Sequence, residues 1–130
     1  MSDLSRTVAI VGVEESDELG VVPGKSSLQH HAEAAFNALD DAGLTLADVD
    51  GLFTAGFSTM QTAEYLGIVP RYTDSTSVGG SSFVIHINHA MAAINAGLCE
   101  VALITHGQAG RSTRGRAGGD PSLPGSQFEN

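Results

Sequence analysis

A chain of 130 residues with a net charge of −9 can bury one domain core, and it repels nucleic-acid phosphates over most of its surface. No apolar run reaches the ~20 residues of a membrane helix, and no apolar stretch follows a basic start as in a signal peptide. The single cysteine, Cys99, excludes an intrachain disulfide and a multi-cysteine metal site, so a soluble, cytoplasmic protein is expected.

Residues 7–13 (TVAIVGV) are a short β-branched run flanked by polar residues and read as a buried strand. The acidic, glycine-bearing stretch 14–25 reads as a loop. Ser26 or Ser27 then caps a helix whose apolar stripe is Leu28, Ala32, Ala35, Phe36, Leu39 and Ala42, with Gly43 as its stop. Thr45 and Asp48 form a capping box for a single helical turn. Residues 52–55 read as a second strand and 60–67 as a short helix ended before Pro70. Residues 71–77 form a strand polar enough for an edge or an interface.

The helix 81–96 carries Val84, Ile87, Met91 and Ile94 on one stripe, widened by Ala90, Ala92 and Ala93, and its apolar character predicts burial on most sides. Gly97 ends it, and residues 101–105 read as another buried strand. Strands alternating with helices predict an α/β domain with a mostly parallel sheet and helices on both faces. Periodicity stops after His106. The expected division is therefore an incomplete domain over 1–107 and a Gly/Arg/Pro-rich loop over 108–130, leading to a region beyond this sequence.

Several polar groups invite functional readings. His86 and His89 lie three apart on one helix, but a zinc site needs two further ligands and no cysteine or carboxylate cluster adjoins them; no metal is expected. His30 and His31 point to different helix faces. His106 ends a buried strand, where open α/β sheets place their ligand crevice, and is a candidate for a polar active-site role. Arg111, Arg114 and Arg116 lie in a glycine-rich run that lacks the Gly-Lys-Ser/Thr ending of a phosphate loop. Their guanidinium groups suit coenzyme A phosphates or a partner's carboxylates, although a solvated loop also holds such residues without a ligand. The lone Gly12 does not extend into a dinucleotide motif.

Two stretches carry a family resemblance. Residues 42–52 (AGLTLADVDGL) resemble the turn between the first helix and second strand of the thiolase superfamily. Residues 77–97 (SVGGSSFVIHINHAMAAINAG) and 98–107 (LCEVALITHG) are similar to its nucleophile-bearing helix and the strand that follows. The resemblance covers about 7–107 and implies a thiolase-like N-terminal domain.

Thiolases place a cysteine where the loop enters that helix, so that the helix N-terminus stabilises a thiolate. That position falls near Gly80, within Gly79-Gly80-Ser81-Ser82, and holds no thiol. Cys99 lies past the far end of the helix and reads as a small core residue. Ser81 and Ser82 are weak nucleophile candidates, because no neighbouring base activates them; one of them is expected to cap the helix. The Gly-Gly pair also leaves room for a bulky substrate where a cysteine would lie.

The Gly-Gly-Ser pattern resembles lipid-transfer-protein-type members of the superfamily, which include aldolases that cleave CoA-linked steroid side chains. A retro-aldol step needs a base for a hydroxyl and stabilisation of an enolate, not an acyl-cysteine. The resemblance therefore implies carbon–carbon bond cleavage on an acyl-CoA thioester, with no cofactor beyond that substrate. It also implies a homodimer, with 71–77 pairing across the two-fold axis, and association with a small OB-fold protein. The alternative from another class is a non-catalytic acyl-CoA- or lipid-binding scaffold subunit. A conventional acyl-transferring thiolase is the third reading, and Gly80 speaks against it.

Overall fold

The computed structural model describes residues 3–113. The first long helix, α1 (Ser27–Ala42), starts at Ser26, whose side chain accepts from the Gln29 backbone N–H while the Gln29 side chain accepts from the Ser26 N–H. This reciprocal box satisfies two donors that a helix start leaves open. Gly43 ends α1 at φ 68°, a left-handed conformation that glycine adopts without a Cβ penalty. A 3₁₀ turn (Leu46–Asp48) follows, capped by Thr45 and Asp48 as expected. Next come β1 (Gly51–Phe53), α2 (Thr59–Leu66), β2 (Tyr72–Asp74), α3 (Ser82–Asn95), β3 (Ala102–Ile104) and one helical turn, α4 (Gly110–Thr113).

The three strands form a parallel sheet in the order β2-β1-β3. Successive strand residues face opposite sides, and the core divides accordingly. Leu52 and Leu103 meet Ala32, Ala35 and Leu39 of α1 and Ala63 and Leu66 of α2. Phe53, Ala102 and Ile104 face Ala90, Ala93 and Ile94 of α3, with Cys99 buried among them. Helices thus cover both faces, as the sequence predicts. Asp50 aligns the strand starts, because its Oδ1 accepts from the backbone N–H groups of Glu100 and Val101, each at 2.8 Å. Burial pushes the Asp50 pKa up, but those two bonds and Arg71 hold it below the usual carboxylate value.

Two expectations are corrected. Residues 7–13 form no strand: Ile10, Val11 and Val13 are exposed, and the segment lies against the end of α1. A Cβ on Gly12 would come within 2.1 Å of the Ala38 carbonyl oxygen, and the Val13 N–H donates to Asp41. A β-branched run favours extended backbone, but ladder bonds make a strand, and here the polar contact is to a side chain of α1. The second correction concerns α3, which is not buried on most sides. Its buried line is Ser82, His86, Ala90 and Ala93, while Val84 is 71% and Ile87 46% exposed. A helix apolar all round has no unique inward face, and the sheet selects the line of small residues that lets the backbone approach.

Candidate functional site

In a parallel sheet the strands' carboxyl ends gather on one edge, and the loops leaving them build the crevice. Here that edge carries the loop after β1 with Thr54 and Phe57, the loop from β2 into α3 with Gly79 and Gly80, and residues 105–109 after β3. Each is held differently.

The loop entering α3 is closed by Ser82. Its buried hydroxyl donates to the Gly79 carbonyl at 2.6 Å and accepts from the Val78 N–H at 2.9 Å. Gly79 adopts φ 79° to make that turn. Ser81 stands at the cap position but makes no side-chain cap bond, so the anticipated serine cap is realised instead as a loop clasp through Ser82. Both hydrogen-bonding roles of Ser82 are taken by backbone, and no base lies against it among the described residues, a poor arrangement for a nucleophile. Gly80 is exposed, and a Cβ built on it would meet nothing within 4 Å. Position 80, where the sequence resemblance puts a cysteine, is thus open among the described residues, just before a 14-residue helix. Cys99 lies at the opposite end of α3, 1% exposed, where burial and then Asp50 push its thiol pKa up, so it stays protonated and in the core.

The segment after β3 is locked to the first turns of α1. The Thr105 hydroxyl donates to the His31 carbonyl at 3.0 Å, and the Ala109 N–H donates to the Ser27 hydroxyl at 2.9 Å. A Cβ on Gly107 would lie 2.4 Å from both the Ser27 carbonyl oxygen and the His31 nitrogen, so only glycine fits. Further along, Ser112 accepts from the Val22 N–H, which ties α4 to the loop before α1. The helical turn Gly110–Thr113 stands where the sequence pattern predicts loop over 108–130.

These constraints hold His106 at the carboxyl edge of the sheet. It is exposed, and its ring centroid lies 4.7 Å from that of Phe83, in the first turn of α3. Its other neighbour is His31, edge-on at 5.9 Å, which in turn contacts Phe57 at 5.5 Å. Burial holds the His106 pKa below the ordinary imidazole value. His31 was not singled out by sequence, although the spacing of Ser27, His31, Ala35 and Leu39 places it on the buried stripe. It is 0% exposed, and burial, then His106 and His30, lower its pKa to about 4. Both of its ring nitrogens are buried and bonded to nothing among the described residues.

The other histidines turn elsewhere. His86 Nε2 donates to the Thr76 carbonyl at 2.9 Å, and His89 Nδ1 pairs with Asp74 across an open groove beside β2. The two do not converge, and no group of three metal-ligating side chains occurs among the described residues. His30 is buried too, its Nδ1 meeting the Ser16 hydroxyl at 3.3 Å. Arg111 sits exposed on α4, while Arg114 and Arg116 lie outside the described residues. No described helix is long and apolar enough to cross a membrane.

No protein-family model matches the sequence. Among curated proteins, the chain is 35% identical over 102 residues to the 17-hydroxy-3-oxo-4-pregnene-20-carboxyl-CoA lyase of Mycobacterium tuberculosis, covering 75% of this chain and 26% of that protein. It is also 35% identical over 105 residues to a steroid side-chain-cleaving aldolase of Thermomonospora curvata, covering 78% of this chain and 27% of that one. Among solved structures, the Ltp2-ChsH2(DUF35) aldolase matches 80% of this chain and 28% of its own, with TM-score 0.71 and 32% identity. An SCP2-thiolase-like protein from Mycobacterium smegmatis matches 73% of this chain and 22% of its own, with TM-score 0.61 and 28% identity. The chain thus spans about a quarter of the length of the curated relatives it matches.

Proposed function

Because this chain belongs to the thiolase superfamily and is similar to steroid side-chain aldolases, we propose that it forms part of an enzyme cleaving a carbon–carbon bond of a steroid acyl-CoA thioester by a retro-aldol step. The observation that carries this reading is Gly80: open space stands where an acyl-transferring thiolase needs its thiolate. A retro-aldol step dispenses with that thiolate. It removes a hydroxyl proton, passes the electrons of the broken bond to a thioester enolate, and leaves a carbonyl on the departing fragment. In this chain His106 is the group suited to the proton. Partial burial lowers its pKa below the ordinary imidazole value, and its ring packs on Phe83, three residues past Gly80.

The exposed Arg111, five residues further on, is suited to coenzyme A phosphates, as are Arg114 and Arg116 by type. The outer edge of β2 is unpaired among the described residues and suits pairing with a second copy of the chain. The name of the Ltp2-ChsH2(DUF35) aldolase joins two components, and we extend that arrangement to a heteromeric partner here. The full-length protein, alone and with such a partner, should convert a β-hydroxyacyl-CoA steroid into a ketone and a shortened acyl-CoA. Tight binding of the thioester with no product would favour a non-catalytic binding subunit instead.

A further inference from the structure

The ring cluster at the crevice contains one member that the retro-aldol reading does not use. His31 lies behind His106, wholly enclosed, with Phe57 on its other side. A neutral imidazole has one donor and one acceptor nitrogen, and leaving either buried and unbonded is costly. His31 bonds neither nitrogen to any described group, although its backbone is fixed by the Thr105 hydroxyl and by Gly107. A side chain held so firmly with its polar atoms open is suited to a state other than the resting one.

We propose that His31 is a positioning residue for His106: when the substrate-facing nitrogen of His106 takes a proton, the N–H on its other nitrogen is held by the acceptor nitrogen of His31. The inference rests on the aldolase reading for its purpose, but on geometry for its substance. Two imidazoles joined by a direct bond of about 2.9 Å have centroids roughly 5 Å apart. The observed 5.9 Å therefore asks for only a small swing of the exposed His106 ring. Phe83, packed on His106 at 4.7 Å, limits that swing. The titratable groups facing His31 are His106 and His30, and neither is acidic, so no carboxylate competes for the proton. In the reaction, His106 takes the substrate's hydroxyl proton as the carbon–carbon bond breaks toward the enolate. His31 accepts a hydrogen bond from the imidazolium's other N–H, and the proton taken from the hydroxyl passes from the substrate-facing nitrogen to the enolate carbon.

The test compares the full-length protein with H31F and H31Q. H31F keeps a buried ring without nitrogen, and H31Q restores an acceptor. NMR titration of the His106 ring reports its pKa independently of turnover. The expected result is a His106 pKa lower by about one unit in H31F, recovered in part by H31Q. Alongside it, kcat should fall about tenfold to a hundredfold in H31F with KM nearly unchanged. An unchanged His106 pKa in folded H31F would overturn the pairing, even if the wild type cleaves steroid thioesters. A lowered pKa in a protein without any lyase activity would keep the pairing and sink the aldolase reading. If H31F does not fold, the wild-type ¹⁵N signals of His31 decide. A nitrogen moving from unbonded to bonded shift across the His106 titration supports the pairing, and a static one refutes it.

Discussion

Two loops leave the same edge of the sheet and treat a glycine in opposite ways. After β3, Gly107 is pressed against backbone atoms of α1 and has no room for a Cβ. After β2, a Cβ on Gly80 would meet nothing within 4 Å among the described residues. The first glycine serves packing: it lets Thr105 and Ala109 reach His31 and Ser27 and so fixes His106 at the carboxyl edge of the sheet. The second serves no packing need among the described residues, so nothing there excludes a larger side chain at position 80. The bare position is meaningful chemically, since a thiolate there would open a covalent route.

The comparison can be broken most directly at Gly107. Gly107→Ala forces a methyl onto rigid backbone and should cost about 3 kcal/mol, seen as a large drop in melting temperature. A change within error would mean that the lock between β3 and α1 is looser than described. The buried neutral His31 gives the next effect. Its folded pKa of about 4 is depressed from the unfolded 6.5, so its contribution is full above pH 6.5 and is lost as pH falls toward 4. That loss amounts to ~3 kcal/mol, and His106, shifted the same way, adds to it. Denaturant midpoints measured between pH 4 and 7 should slope steeply in the wild type and less in H31F.

A smaller effect is expected at the open loop. Ser82→Ala removes both bonds of the clasp and should destabilise by about 1–2 kcal/mol, measured by chemical denaturation. Gly80→Ala should change stability by less than about 0.5 kcal/mol; a larger loss would show that the space at position 80 is not free.

The same contrast explains what the sequence could tell. Local signals were legible because they act within a few residues: the Ser26–Gln29 box, Gly43 and the Thr45–Asp48 turn stand where capping chemistry puts them. The alternation of strand and helix patterns along the chain also predicts helices on both faces, where Leu52 and Phe53 point to opposite sides. The segment 7–13 was misread because apolar extended residues specify a backbone shape but not a partner. The face of α3 was misread because Val84, Ile87, Ala90 and Ala93 are all apolar, and only the sheet decides among them. At the candidate site, the motif points to Gly80 and the strand end to His106, and both lie at the carboxyl edge of the sheet. His31 escaped because a histidine pair on a helix looks polar, whereas its four-residue spacing to Ala35 and Leu39 held the contrary signal.

The proposed carbon–carbon cleavage proceeds without an acyl-enzyme. Its most direct test is intact-mass measurement of the full-length protein during turnover of a β-hydroxyacyl-CoA steroid, with the products followed in the same sample. The account predicts ketone and shortened acyl-CoA accumulating while the chain keeps its unmodified mass. A covalent acyl adduct on this chain during product formation would contradict it and restore the conventional thiolase route.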